Sequence, residues 1–255
     1  MRQLNVPRRG FLAGAAVLGA AACTGDGEGA APGDDTSAVA GATVTTENST
    51  PVPELPGDPF TLGVSSGDPL PESVILWTRL KPTEGPVPAV PVPVSWQVAA
   101  DGSFDDVVSE GVFVTDASAG NSVHAEAGGL EADTAYWYRF TVGDHESAIG
   151  RTRTAPAAGS DPSGVRFAVA SCQAFQSGFY SAHQHMAAED GLSAVLFLGD
   201  YIYELESSTA ARQHGMAPPR TLEEFRAFYE LNNSDPDLRA ALAAHPWIFT
   251  WDDHE

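Results

Sequence analysis

From Phe60 to Arg153, apolar and polar positions alternate in short runs: FTLGVSSGD, SVILWTRL, VPVSWQVAAD, GVFVTD, SVHAEAGGL, TAYWYRFTVGD and AIGRTRT. Each run is rich in β-branched or aromatic residues and is punctuated by Gly, Pro or Asp, and no helical period interrupts the series. A period of two sends alternate side chains to opposite faces, so each segment offers one face to a core and the other to water. The pattern predicts an antiparallel β-sandwich over residues 59–153. Residues 154–164, TAPAAGSDPSG, carry the Pro, Gly, Ser and Ala of a linker.

Beyond the linker the pattern changes. VRFAVASC and LSAVLFLGD are apolar throughout, and FYSAHQHMAAEDG between them predicts a helix ending at Gly191. Strand, helix and strand in that order form a βαβ unit, which implies a parallel sheet covered on both faces. Thr221 with Glu224 three residues later fits a capping box that starts a helix running through Leu231. Asp235-Pro236 opens a second helix, DLRAALAAH, which Pro246 terminates. WIFTW is then a third buried strand, ending in Asp252-Asp253-His254-Glu255.

Composition narrows the function. At 255 residues and 43% hydrophobic content the chain can bury substantial cores. Acidic residues outnumber basic ones 34 to 13, and the formal charge of -21 repels nucleic acid and anionic lipid headgroups. No nucleic-acid recognition is expected. The same field repels a phosphorylated substrate, so phosphate chemistry would need a local cationic centre, for which a metal site is the natural choice. Basic charge is almost all arginine, with Lys81 the only lysine.

The first residues read as an address. Arg8, Arg9, Gly10, Phe11 and Leu12 precede the weakly apolar run AGAAVLGAAAC, so residues 1–23 resemble a twin-arginine signal peptide, too short to span a bilayer as a mature helix. Export through the twin-arginine machinery is expected, to an extracellular, periplasmic or cell-surface location. Cys23 after Ala20-Ala21-Ala22 resembles a lipoprotein cleavage site and so a possible lipid anchor, while cleavage at an A-x-A site is the alternative. Residues 24–58 hold almost no large apolar groups and read as a disordered tether. With Cys23 lipidated or removed, Cys172 is the one remaining thiol, so no internal disulfide can form in this stretch. Counting alone leaves two roles open for Cys172, an inert buried thiol or a ligand.

Ligands of open α/β sheets bind outside the carboxyl ends of the strands. Here those ends carry Ser171-Cys172-Gln173, Gly199-Asp200-Tyr201-Ile202-Tyr203 and Asp252-Asp253-His254-Glu255. A thiol, several carboxylates, a phenol and an imidazole along one edge suit metal ions better than dry packing. The second and third ends resemble the calcineurin-like metallophosphoesterases, whose strand ends carry G-D-x-x-D/Y and G-N-H-D/E motifs. Gly199-Asp200-x-x-Tyr203 matches the tyrosine form used by purple acid phosphatases. More narrowly, the series GDPFTLGVSSGDPLPESVILWTRL, GRTRTAP, RFAVASCQ, LGDYIYE and PWIFTWDDHE resembles the PhoD-like alkaline phosphatases.

That resemblance implies a fibronectin III/Ig-like sandwich followed by the start of an αββα-type metallophosphoesterase domain over residues 165–255. LEADTAYWYRF is similar to the turn into a late strand of fibronectin type III domains, which makes Tyr136 and Tyr138 core or corner residues. The implied cofactors are ferric iron, Fe(3+), and calcium, Ca(2+), with Mn(2+) or Zn(2+) as in ordinary calcineurin-like hydrolases the alternative. Cys172 and Tyr203 would bind iron, Asp200 would bridge iron and calcium, and Asp253, standing where the related motif has asparagine, would bind calcium. His254 would be the catalytic residue beside the phosphate, donating to a phosphoryl oxygen or the leaving group.

The implied function is hydrolysis of phosphate mono- or diesters by in-line attack of a metal-bound hydroxide. Cys172 stands where the superfamily has D-x-H, which fits the PhoD-like branch. The metal-binding Asp and His residues of later strands do not occur before Glu255, so this segment alone is expected to be inactive. A cell-surface binding protein with a decayed phosphoesterase domain is the competing reading. Among neighbouring residues, His183 and His185 are expected at the surface or as caps, Trp247 and Trp251 in the core, and Tyr201 and Glu204 in support of the ligands. Arg212 and His214 follow the second strand and could reach a phosphate, with a structural role the first expectation.

Overall fold

The computed structural model describes residues 51–204 and 209–255, so the twin-arginine segment, Cys23 and the tether as far as residue 50 lie outside the described residues. Eight strands come first: β1 Val64–Gly67, β2 Ser73–Arg79, β3 Val92–Ala99, β4 Val107–Thr115, β5 Ser122–Gly128, β6 Ala135–Val142, β7 His145–Glu146 and β8 Gly150–Arg153. There follow β9 Phe167–Ala170, α1 Ser181–Ala187, β10 Ala194–Phe197, α2 Leu222–Asn233, α3 Pro236–Ala244 and β11 Pro246–Phe249. Among the described residues no helix is long and apolar enough to cross a membrane.

The alternation read along the chain becomes two sheets over one core. One sheet has the order β4-β3-β6-β7, with β8 also on β6, and the other has the order β5-β2-β1-β11-β10-β9. Val74, Leu76, Val123 and Ala125 of the second sheet meet Val94, Val98, Tyr138 and Phe140 of the first in one buried cluster. Tyr138 is fully buried, and Tyr136 turns its hydroxyl to accept from the Glu131 backbone N–H at 2.9 Å, so both occupy core and corner positions.

The second sheet does not stop at the 154–164 segment. β1 is antiparallel to β2 but parallel to β11, with Ser66 opposite Pro246 and Gly67 opposite Trp247. Gly67 permits the approach, because a Cβ there would lie 2.7 Å from the Trp247 carbonyl oxygen. β9, β10 and β11 are mutually parallel, as the βαβ pattern requires.

The helices begin where local chemistry says they should. Thr221 Oγ1 accepts from Glu224 N at 3.3 Å and Glu224 Oε2 accepts from Thr221 N at 2.9 Å, a complete capping box. Asp235 caps α3 by accepting from Asp237 N and Leu238 N, with Pro236 in the first turn. Thr221→Ala is expected to lower stability by about 1 kcal/mol, read as a shift in the urea unfolding midpoint with unchanged slope. α1 is shorter than its sequence pattern: it closes at Ala187, because Ala188 N and Glu189 N bond three residues back, to His185 O and Met186 O.

Three local expectations are corrected. His183 is buried rather than at the surface: its Nε2 meets Gln173 Oε1 at 2.8 Å, and its ring lies against Tyr180 and Trp247. His185, two places on, is exposed. Trp247 is in the core, but Trp251 is 79% exposed, because the ladder ends at Phe249. The parallel strands are covered on the face of Val195 and Trp247, while Phe167, Val169 and Ile248 on the other face are exposed.

Burial lowers the proton affinity of His183, and of His245, whose bond to the Met186 carbonyl offsets only part of the effect. A histidine depressed in the fold binds protons more readily when unfolded. Its contribution is therefore complete above the unfolded value of about 6.5 and is lost as pH falls below it. Between pH 7 and pH 5 the wild type is expected to lose more stability than His183→Gln, measured as unfolding midpoints on both proteins.

Candidate metal centre

The site sits where β9, β10 and β11 run out. Past its last ladder residue, β9 continues into a loop in which Cys172 N donates to Gly199 O at 3.1 Å and Gln173 N donates to Asp200 O at 3.0 Å. Cys172 and Asp200 both have positive φ, 60° and 57°, so each strand turns sharply as it leaves the sheet. Gly199, at φ 94°, packs directly on the third loop: a Cβ there would lie 2.6 Å from Asp252 Cβ and 2.7 Å from Asp252 N.

Asp200 is the centre of the arrangement. Its Oδ2 accepts from the Tyr203 hydroxyl at 2.9 Å and from the Cys172 thiol at 3.5 Å. Its Oδ1 is buried and has no hydrogen-bond partner among the described residues. Donor atoms of Asp200, Asp253 and His254 all lie within 4.8 Å of one another. The fold therefore brings together all five residues singled out at the three strand ends. Thiol and phenol meet one oxygen of Asp200, and a second carboxylate and an imidazole stand close by.

The electrostatics suit a cation. A buried carboxylate oxygen without a partner is costly, by about 1–3 kcal/mol, unless something occupies it. Partial burial, and then its bond to Asp200, push the Tyr203 phenol well above its ordinary range, so that it ionises only beside a strong positive charge. Hard oxygen donors with one imidazole and one thiol form a mixed set of the type that binds transition metals together with oxygen-seeking cations. These residues fit a metal centre.

Glu204 was anticipated only as support, and it has a definite task. Its Oε2 lies 2.6 Å from His254 Nδ1. That bond raises the His254 proton affinity, aided by the negative charge of Glu204, Asp200 and Asp253 and opposed by burial. Burial is the largest single influence and acts to raise the Glu204 carboxyl, but the His254 bond, a backbone hydrogen bond and the His254 charge together outweigh it and the net shift is downward. Tyr201 supports from beneath, buried in the aromatic core with its hydroxyl donating to Asn233.

Gln173 was not anticipated beyond its place in the motif. It is buried, accepts from His183 Nε2–H through Oε1, and donates from Nε2 to Tyr201 O at 3.2 Å, which anchors the residue after Cys172. Its only sequence signal was a polar side chain following an apolar strand. Arg212 does not reach the strand ends: it stacks 3.8 Å from the Phe175 ring, donates to Phe175 O and pairs with Asp235 at 2.5 Å. His214 Nδ1 accepts from Met216 N.

A mixed sheet whose parallel strand ends carry carboxylates, an imidazole, a phenol and a thiol defines a mostly β protein with a candidate metal site at those ends. Residues 45–156 match the N-terminal domain of the PhoD-like phosphatases and residues 167–255 match the PhoD-like phosphatase domain itself. The chain belongs to the PhoD-like phosphatase family. It is 45% identical over 212 residues to alkaline phosphatase D of Bacillus subtilis (strain 168), covering 80% of this chain and 36% of that protein. It superposes on a solved structure of PhoD with a TM-score of 0.76 and 46% identity, over 80% of this chain and 40% of that one. The chain thus spans well under half the length of both proteins.

Proposed function

We propose that the chain is the N-terminal part of an exported metal-dependent phosphoesterase acting on phosphate mono- or diesters. The observation that carries this reading is Asp200, which clusters with the donor atoms of Asp253 and His254, gathers Cys172 and Tyr203 on Oδ2, and has an Oδ1 that is buried without a partner among the described residues. The family relationship and the curated relative's name support the same reaction class. Residues 59–153 would form a fibronectin III/Ig-like sandwich, and residues 165–255 would begin an αββα-type metallophosphoesterase domain. Arg8-Arg9 and Cys23 support export and a surface location.

Cys172 and Tyr203 would hold ferric iron, Asp200 would be shared between iron and calcium, and Asp253 would hold calcium. When bound, these cations supply Lewis acidity toward the phosphoryl oxygens and lower the pKa of an attacking water. The remaining work falls to the chain. Glu204 holds the Nδ1 side of His254, which directs Nε2 at a phosphoryl oxygen or the leaving group. The bond to Glu204 raises the proton affinity of His254 and so favours its charged form, the form that can neutralise charge developing in the transition state.

Elemental analysis of protein purified from its own export route tests the proposal. About one iron with calcium per chain supports it, and stoichiometric zinc or manganese keeps the hydrolase but removes the iron assignment. Protein without stoichiometric metal would favour a cell-surface binding protein instead.

A further inference from the structure

We infer that Glu255 is a positioning residue of this centre: its carboxylate ties the second strand-end loop to the third and so sets Asp200 against Asp253 and His254. The inference rests on the metal-centre reading above. Glu255 Oε1 accepts from Tyr201 N at 2.5 Å, and Oε2 accepts from Asp200 N at 3.1 Å and from Asp252 N at 2.8 Å. Three backbone donors from two loops converge on one side chain. One is the N–H of Asp200 itself, and another belongs to the residue before Asp253.

The surrounding geometry explains why such a tie matters. Asp200 sits at φ 57°, a left-handed conformation that aspartate tolerates better than most residues but that is still uncommon, so a bond to its own N–H helps to hold the turn. The backbone contact between Gly199 and Asp252 brings the loops together, but close packing of two backbones sets no register between them. Hydrogen bonds do, and those to an ionised carboxylate are stronger than neutral ones. Within the described residues no other side chain bonds the backbone N–H groups of both loops. Glu204 is committed to His254, and the donor cluster of Asp200, Asp253 and His254 does not include Glu255. The Glu255 carboxylate therefore acts through the ligands, and its length is what spans the two loops.

The test uses two variants and two readouts. Glu255→Gln keeps the length and loses the charge and one acceptor oxygen; Glu255→Asp keeps the charge and is one methylene too short. Backbone amide exchange is followed by NMR, and the metal-free protein is titrated with Mn2+ as an oxygen-preferring probe. In both variants exchange at Asp200, Tyr201 and Asp252 is expected to quicken by about tenfold or more while amides of β2 and β3 stay protected, which shows that the fold persists. Mn2+ affinity is expected to fall by about 10–100-fold in both. Wild-type affinity in both variants would overturn the inference, and so would wild-type affinity in Glu255→Asp with loss in Glu255→Gln, since charge rather than position would then be at work. A wild type that takes up no Mn2+ sinks the metal-centre reading instead. The exchange rates then decide the tie alone, supporting it if they rise at the three amides and overturning it if they do not.

Discussion

In the full-length protein, Asp200→Ala is expected to empty the site of metal and to cut phosphoester hydrolysis by much more than the ~100-fold that loss of a supporting residue costs. The size of the effect follows from the side chain's position: one of its oxygens is shared by Tyr203 and Cys172, and the other is buried without a partner among the described residues. Its removal takes away the group that the other donors surround. The same substitution relieves a buried, partly unsatisfied carboxylate, so the metal-free variant is expected to be at least as stable as the metal-free wild type. Elemental analysis, turnover of p-nitrophenyl phosphate and thermal unfolding of the metal-free proteins check the three parts. Metal retained at wild-type stoichiometry would refute the central role of Asp200.

Gly199→Ala is expected to lower stability by about 2–5 kcal/mol and to spread the site. About 1–2 kcal/mol comes from forcing a side chain into positive φ and about 1–3 from the overlap of its Cβ with Asp252. That overlap is with backbone as well as side chain, the new carbon lying 2.7 Å from Asp252 N and 3.0 Å from Trp251 C, so a rotamer change cannot relieve it. The third loop must move, and it carries Asp253 and His254. Gly159→Ala is the control, because that glycine has φ 79° but nothing within 4 Å of a Cβ, and only the conformational part should appear. Urea unfolding of the two variants separates the contributions, and equal losses would show that the packing on Asp252 carries no weight.

What could be read along the chain was whatever local chemistry decides. Thr221 and Glu224 cap a helix by bonds across three residues, and Asp235-Pro236 caps the next in the same way, so both starts were legible. The strand ends were legible as well, since an apolar run that stops at Asp200 or at Asp252-Asp253-His254 marks its own polar end. His183 was misplaced because a helix of seven residues has too few turns for its period to say which face is covered. Trp251 was misplaced because composition continues WIFTW past the point where pairing ends. Glu255 and Gln173 gave no signal of their tasks, because their partners, backbone groups up to more than fifty residues away for Glu255 and Tyr201 O and the His183 ring for Gln173, are brought near only by the folded chain.

The parallel pairing of β1 with β11 bears on how the molecule assembles. Ser66 meets Pro246 across 180 residues of chain, 246 less 66, so the first strand of the sheet cannot complete its ladder until the last has been synthesised. Closing so long a loop is slow, although its entropic cost grows only with the logarithm of length. The residues from Asn48 onward accordingly form one compact unit despite the Pro- and Gly-rich segment in the middle. A protease that nicks that segment would leave two polypeptides still held together, and they would melt in a single transition.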